Sequence, residues 1–299
     1  MARKILITGS EGQLGKYLQF NLKDKYDVIP TGKSLSVQAG SKYMTTLDIT
    51  DRTDVEICID KVRPDIIINC AAYTDVDGSE ANKKLARKVN VIGLQNLIHA
   101  SHLDTYFIQI SSDYIFDGDA GPYSENDHTY PLNYYGKTKL EAENILRGSK
   151  RRHLIIRPNV LYSEGLTFKG NFFAWVYKSL LSNKAISVVN DQISNPTYVY
   201  HLCQTIFQCI ILNSEGIYHY GSDDYMSRYD FAISIANSFN LNTNLITSID
   251  TKQLSQSFPT YIAKRPKHSG LKTLKIEDEL GLLTYSTAYS LNMIKKSLY

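Results

Sequence analysis

Tyr135-Gly136-Lys137-Thr138-Lys139 sets a phenol and an ammonium four residues apart, which on a helix places both on one face, one turn from each other. The spacing alone carries nothing, because 22 tyrosines and 23 lysines in 299 residues give ~1.7 such pairs by chance. Order along the chain gives it weight. A glycine-rich stretch, Thr8-Gly9-Ser10-Glu11-Gly12-Gln13-Leu14-Gly15, comes first, then Ser111-Ser112-Asp113-Tyr114, then Tyr135 and Lys139. Together they fit carbonyl reduction. A phenol with a pKa near ~10 must hand a proton to a forming alkoxide at neutral pH, and an adjacent ammonium lowers its pKa toward that task. Ser112 would hydrogen-bond the carbonyl oxygen and fix its geometry.

The glycine stretch reads GxxGxxG and follows at once on the apolar run Ile5-Leu6-Ile7. Glycines there permit a tight turn, close approach of backbone to a pyrophosphate and close helix–sheet packing, while the following helix offers its free N–H groups to the anion. Position between a strand and a helix turns a weak motif into a specific one. An NAD site expects an acid at the end of the second strand, to accept from the ribose 2′-hydroxyl. Here the segment is Val28-Ile29-Pro30-Thr31-Gly32-Lys33. With no acid and a nearby lysine, NADP is favoured over NAD, although Lys33 reads equally as a solvated loop residue.

These groups need a scaffold that brings strand ends together. Short apolar runs at Lys4-Ile7, Asp27-Ile29, Asp65-Cys70, Tyr106-Ser111 and Leu154-Arg157 are mostly non-alternating, as in strands covered on both faces. Between them lie helical patterns. Val55, Cys58, Ile59 and Val62 form one buried stripe, and Leu85, Val89 and Ile92 begin another. The β-α alternation predicts an α/β fold, a Rossmann-type doubly wound parallel sheet. Beyond Pro158 the pattern loosens. Helices are expected over 171–183, 198–212 and 227–239, the last with Ser227 as N-cap, and a strand over Ile217-Tyr220. The expected division is a dinucleotide-binding domain over 1–157 and a smaller substrate-binding lobe over 158–299, interleaved with the first.

Composition sets limits. A net charge of +3 from 33 basic and 30 acidic residues implies neither a nucleic-acid nor a membrane surface. The one basic run, Lys150-Arg151-Arg152, reads as a solvated turn. Cys58, Cys70, Cys203 and Cys209 show no metal or disulfide spacing and suit buried thiols in a reducing compartment. His99 and His102, i and i+3 on an expected helix, lack a further ligand, so no metal is expected. No run approaches the ~18 apolar residues of a membrane span, and the N-terminal run is too short for a signal peptide. A cytoplasmic enzyme is the expectation.

Nearly end to end the sequence resembles the dTDP-4-dehydrorhamnose reductase family of extended short-chain dehydrogenase/reductases. The resemblance rests on Thr8-Gly15, Leu47-Asp48-Ile49-Thr50, Arg63 through Asp77, Val89-Asn90, Ser111 through Gly118, Asn133 through Lys139, Asp191-Gln192, Pro196-Thr197, Gly216-Ile217-Tyr218-His219 and Arg265-Pro266. It implies reduction of the C4 ketone of a nucleoside-diphosphate 4-keto-6-deoxyhexose with NADPH, with Ser112, Tyr135 and Lys139 catalytic. It also implies cofactor contacts from Gly9, Glu11, Gly12, Gln13, Leu14, Gly15, Lys33, Asp48 and Ile49 beside the adenine, Ala71, Ala72, Tyr73, Asn90 and Pro158. Tyr135 and Lys139 would touch the cofactor too. Tyr114, Phe116, Val160, Asn171, Phe172 and Arg265 fall in the implied substrate segments, Arg265 suited to a diphosphate; Asn171 and Phe172 read equally as the start of a core helix. A homodimer is compatible with the family. Two departures stand out: Ser112 replaces a usual threonine, and Arg157-Pro158-Asn159-Val160-Leu161-Tyr162-Ser163 replaces a segment with tryptophan at the position of Val160. That segment is also similar to the regulatory β subunit of eukaryotic methionine adenosyltransferase. A dinucleotide-binding regulator, or another nucleotide-sugar 4-reductase or epimerase, are therefore the alternatives.

Overall fold

Strand β1 (Lys4–Thr8) is an interior strand of a seven-stranded sheet, and both of its faces are covered. Leu6, Ile67, Phe107 and Ile155 pack on one side against α2 (Arg52–Val62), α5 (Gly93–Ala100) and α6 (Tyr134–Gly148). Their neighbours Ile5, Ile7, Ile66, Ile68 and Ile108 are also fully buried, and successive strand side chains point to opposite faces. The computed structural model describes residues 2–33, 45–165, 167–257 and 263–298. Its sheet runs Gly216–Tyr220, β6 (His153–Pro158), β5 (Tyr106–Ile110), β4 (Ile66–Asn69), β1, β2 (Asp27–Gly32) and β3 (Thr45–Thr46). Pairings β1 with β2, β1 with β4, β4 with β5, β5 with β6 and β2 with β3 are parallel. The expected doubly wound parallel sheet is present. The strand order reverses at β1, which opens a crevice beyond the carboxyl ends of β1 and β4.

Two helix starts are set by side chains legible in the sequence. Asp51 caps α2 by accepting from the Asp54 N–H at 3.1 Å, and the buried Val55, Cys58, Ile59 and Val62 form the expected stripe. Ser227 caps α9 (Arg228–Ser238) in a reciprocal capping box with Asp230.

The stripe of Leu85, Val89 and Ile92 is a correction. Leu85 is 39% exposed, and the buried residues are Ala86, Asn90, Val91 and Leu94. The helix α4 (Lys83–Arg87) runs into a π-helical turn over Lys88–Ile92. The wider turn breaks the 3.6-residue period and turns a different face inward. His102 likewise lies beyond the end of α5, whose C-cap is Ser101, so it does not share a helix face with His99. The basic run is not merely solvated: the Arg151 guanidinium donates to the carbonyls of Ile98 and Ser101, both at 3.0 Å, and to that of His102, closing the C-terminus of α5. Arg152 pairs with Glu215 at 2.8 Å.

The chain divides into two compact units. The first holds the residues up to 112 with 133–157 and 206–218, and the second holds 113–132, 158–205 and 219 onward. Segments 113–132 and 206–218 thus fall on the far side of a simple cut at residue 157. The second unit has its own core, built from Tyr162, Phe173, Val176, Phe231, Ile235 and Ile294 among others. Its α7 (Phe172–Leu181) and α9 pack with a parallel pair of strands, Ile186–Val189 and Ile246–Ile249. Among the described residues no helix is long and apolar enough to cross a membrane, and no group of three or more His, Cys, Asp and Glu side chains is placed to hold a metal.

Candidate active site

Between β1 and α1 (Gln13–Leu22) the chain turns so tightly that two of its glycines admit no side chain. Gly9 has φ +62, and a Cβ on it would stand 2.7 Å from the backbone of Ala71. A Cβ on Gly15 would lie 2.5 Å from the Gly9 carbonyl oxygen. Gly12 is the N-cap of α1 and makes no side-chain cap hydrogen bond, and the first turn of a helix presents backbone N–H groups suited to an anion. Leu14 packs inward, while Glu11 and Gln13 are partly exposed beside the turn.

The strand ends around this turn are tied together by buried polar side chains that pattern reading missed. Thr8 Oγ1 donates to Asn69 Oδ1 at 2.6 Å, Asn69 Nδ2 to Gln109 Oε1 at 2.8 Å, and Gln109 Nε2 to the Ile110 carbonyl at 3.0 Å. The signal available was a polar residue near the carboxyl end of each of three apolar strands. Such a ladder, satisfied within a low-dielectric sheet, holds β1, β4 and β5 in register. The Ala71 N–H donates to Thr8 Oγ1 at 3.3 Å, which brings Ala71, Ala72 and Tyr73 up to the same rim. Asn90 then grips Tyr73 by its backbone: Oδ1 accepts from the Tyr73 N–H at 2.7 Å and Nδ2 donates to the Tyr73 carbonyl at 3.2 Å. The same Nδ2 donates to Thr138 Oγ1 at 2.8 Å. It thereby links the rim to α6 between Tyr135 and Lys139.

At the end of β2, Lys33 is 76% exposed and pairs with Asp48 at 2.9 Å. An acid does therefore reach the end of β2, delivered by the segment after β3 rather than by β2 itself. Burial pushes the Asp48 carboxyl up, but the Lys33 bond and hydrogen bonds from Thr50 outweigh it and hold the group at about 2. Ile49, expected at the adenine, is a core residue, only 5% exposed and packed so closely on Gly93 that a Cβ there would sit 2.5 Å from Ile49 Cδ1. Pro158 ends β6 and is buried.

The catalytic candidates converge at the carboxyl end of β5. Ser112 lies two residues past the strand and is buried. Asn133 caps α6 by accepting from the Gly136 N–H at 2.8 Å, which sets Tyr135 in the first turn and Lys139 one turn on. The Lys139 ammonium is buried and donates to the Ile110 carbonyl at 2.5 Å, two residues before Ser112. Burial lowers its pKa to about 8, against the opposing influence of Glu143 and Cys70. Burial also drives the Cys70 thiol up to about 12, so it stays protonated and unreactive.

The second unit contains a cavity of about 590 Å³ whose lining includes four of the predicted substrate residues: Tyr114, Asn171, Phe172 and Arg265. Asn171 is also the N-cap of α7, accepting from the Ala174 N–H at 3.4 Å, and its Nδ2 donates to the carbonyls of Ser163 at 2.8 Å and Gly165 at 3.0 Å. Asn171 thus starts the helix and also lines the cavity. Sequence reasoning missed Arg228 and Lys178, which line the same cavity. The Arg228 guanidinium lies 5.3 Å over the Phe172 ring, a cation–π contact. Among the described residues the lining holds three cationic side chains and no carboxylate, a composition that favours an anion flanked by a ring system.

Two predicted substrate residues lie elsewhere. Phe116 is fully buried, stacked on Tyr123 at 4.3 Å and edge-on to His219 at 5.7 Å; it is core, because aromatic packing on both sides leaves no open face. Val160 does not line the cavity but packs, partly buried, on the second unit's core. Its φ is +39, a left-handed conformation that costs a β-branched residue ~1–3 kcal/mol. Its neighbours hold it there. Asn159 Nδ2 donates to Asn195 Oδ1 at 2.8 Å, the Thr197 N–H donates to the Val160 carbonyl at 3.2 Å, and Leu161–Tyr162 pairs in parallel with Thr197–Tyr198.

A glycine turn in a parallel sheet, with a buried serine and a buried lysine at a neighbouring strand end and a tyrosine one helical turn before that lysine, is the arrangement of an NAD(P)-dependent oxidoreductase of the short-chain dehydrogenase/reductase type. Comparison with known proteins narrows the class. Residues 3–298 match the family described as the RmlD substrate binding domain, and the chain belongs to that family, that of the dTDP-4-dehydrorhamnose reductases. It is similar to a dTDP-4-dehydrorhamnose reductase of Aggregatibacter actinomycetemcomitans, 35% identical over 94% of each chain. Among solved structures it is similar to a dTDP-4-dehydrorhamnose reductase of Bacillus anthracis in complex with NADP, with a TM-score of 0.88 and 32% identity over 99% of this chain and 100% of that one. It is also 30% identical to methionine adenosyltransferase 2 subunit beta of Mus musculus, over 92% of this chain and 82% of that protein.

Proposed function

We propose that this protein reduces the C4 ketone of a nucleoside-diphosphate 4-keto-6-deoxyhexose. The observation that carries the reading is the Lys139 bond to the Ile110 carbonyl, which fastens the Tyr135 face of α6 to the strand end bearing Ser112. The turn at Gly9, Gly12 and Gly15 suits a dinucleotide pyrophosphate, since Cβ atoms at Gly9 and Gly15 would collide with the backbone of Ala71 and of the turn itself, and only glycine keeps the strand-to-helix turn this tight. NADPH bound there supplies the hydride equivalent for C4.

The residues of the chain do the rest. Ser112 hydrogen-bonds the ketone oxygen and holds it toward Tyr135. Tyr135 Oη gives that oxygen a proton as charge develops, leaving the C4 alcohol and a phenolate that solvent reprotonates. Lys139 lowers the cost of that phenolate with its positive charge. In the second unit Arg228 and Arg265 suit the diphosphate, and Phe172 and Trp175 give the base apolar surface. The relatives named as dTDP-4-dehydrorhamnose reductases, and the NADP complex of one of them, support this choice of substrate class and cofactor.

The test is NADPH consumption against a panel of dTDP-, UDP-, GDP- and CDP-linked 4-keto-6-deoxy sugars. Tyr135→Phe is expected to lower kcat by about 10²- to 10⁴-fold, the worth of a positioned general acid; unchanged turnover would overturn the assignment. The likeness to the methionine adenosyltransferase subunit, together with Val160 at the position where the family carries tryptophan, favours one other reading. On it the protein turns over no sugar of the panel and instead forms a stable complex with a methionine adenosyltransferase in a pull-down.

A further inference from the structure

One turn beyond Lys139 on the same helical face, Glu143 is fully buried. Its carboxylate is held by Arg157 of β6 through two bonds, Nη2 to Oε2 at 2.7 Å and Nε to Oε1 at 3.0 Å. The guanidinium is itself 97% buried, its side chain only 3% exposed. Oε1 also accepts from the hydroxyl of Ser111, the residue next to Ser112. A buried ion pair is poor evidence of a stabilising role, because apolar side chains of similar volume commonly serve stability as well or better. What this pair does that apolar packing could not is place a negative charge and a hydrogen-bond acceptor under the reactive groups.

We propose that Glu143, clamped by Arg157, is a positioning residue for the Ser112–Tyr135–Lys139 site: one carboxylate anchors the end of β5 through Ser111 and supplies the counter-charge facing the Lys139 ammonium. The inference rests on the reductase reading of Tyr135 and Lys139. Geometry carries it, since Tyr135, Lys139 and Glu143 follow at four-residue steps along α6, and Lys139 and Glu143 hold Ile110 and Ser111 of one strand end. Electrostatics agrees in direction: burial lowers the Lys139 pKa and Glu143 raises it. The charged or titratable groups that act on Lys139 are Glu143 on its own helix and Cys70 after β4; Tyr135 precedes it by one turn of α6, and Arg157 on β6 stands behind Glu143, to which it is bound. From the helices packed on α6, Glu80 is engaged by the Tyr134 N–H at 2.8 Å and Arg87 by Glu141 at 2.6 Å.

The experiment titrates Lys139 directly in the full-length protein by ¹³Cε-lysine NMR, with the resonance assigned by its loss in Lys139→Met. Glu143→Gln is expected to move the Lys139 inflection down by about one pH unit and Arg157→Met to move it up, since removing an anion and removing a cation act in opposite senses. The alkaline limb of kcat should follow the inflection in each variant, with the NADPH KM within about twofold of the wild type. Should either single variant fold poorly, the double variant Glu143→Gln/Arg157→Met leaves neither member of the Glu143–Arg157 pair as a lone buried charge and should titrate between the two. Inflections that stay put, or move in the same direction in both variants, overturn the proposal. Wild-type protein that turns over no 4-keto sugar nucleotide overturns the reductase reading instead, whatever the titration shows.

Discussion

Lys139 shows what a single buried charge costs the fold. Its pKa falls from ~10.4 in an unfolded chain to about 8 in the fold, chiefly through burial. Between those values the unfolded chain binds more protons, so this residue makes stability rise with pH from about 8 upward and imposes its full cost below that. Lys139→Met should therefore abolish turnover while raising stability at pH 7 by ~1–2 kcal/mol, the relieved charge burial less the lost bond to the Ile110 carbonyl. A urea midpoint that falls in this variant would contradict the argument. Asp48 has the opposite sign. Held at about 2, it contributes stability above the ordinary carboxylate range that is lost as pH falls from about 4 toward 2. Its partner Lys33 directly follows β2, at the strand end where a 2′-phosphate is expected. Lys33→Ala should reduce the preference for NADPH over NADH by about two- to fivefold, a modest figure because the group is exposed and screened by solvent. Steady-state kinetics with both cofactors checks it.

Among the elements, the π-helical turn at Lys88–Ile92 ties the segment after β4 to α6. It turns Asn90 inward, where one side chain satisfies both backbone groups of Tyr73 and reaches Thr138 of α6. Asn90→Ala leaves those groups without this partner and should cost ~1–3 kcal/mol, read by chemical denaturation, with a raised KM for NADPH. The element was only half legible. A helix in this region follows from its apolar content, but the stripe of Leu85, Val89 and Ile92 assumes 3.6 residues per turn, and nothing local in the sequence announces a wider turn. The helix caps were more readable. Ser227 was expected from its own residue type, and Asp51 and Asn133 belong to the residues that favour that position, because capping is a short-range contact. Arg151 was misread for the converse reason: its acceptors are carbonyls about fifty residues away at the end of α5.

At the scale of the whole molecule, the cofactor cradle belongs to one compact unit and the cationic cavity to the other, so their roles should separate in kinetics. Arg228→Ala and Arg265→Ala are each expected to raise the KM for the nucleotide sugar by about 10- to 100-fold, as loss of a charge-assisted contact predicts, with NADPH affinity measured by fluorescence unchanged. An equal loss of NADPH affinity would show that the cavity serves the cofactor. From the sequence alone came the parallel sheet, the glycine turn between β1 and α1, and the candidate set of Ser112, Tyr135 and Lys139. Each depends on near neighbours in the chain: glycines before a helix, apolar runs of strand length, a four-residue step along one turn. Only the tertiary structure decided that Phe116 is core, that Val160 is held strained away from the cavity, that Asp48 comes to Lys33, and that Glu143 and Arg157 meet beneath Lys139. Those contacts join separate elements of the fold, and the side-chain pattern of a segment carries no record of which other segment packs against it.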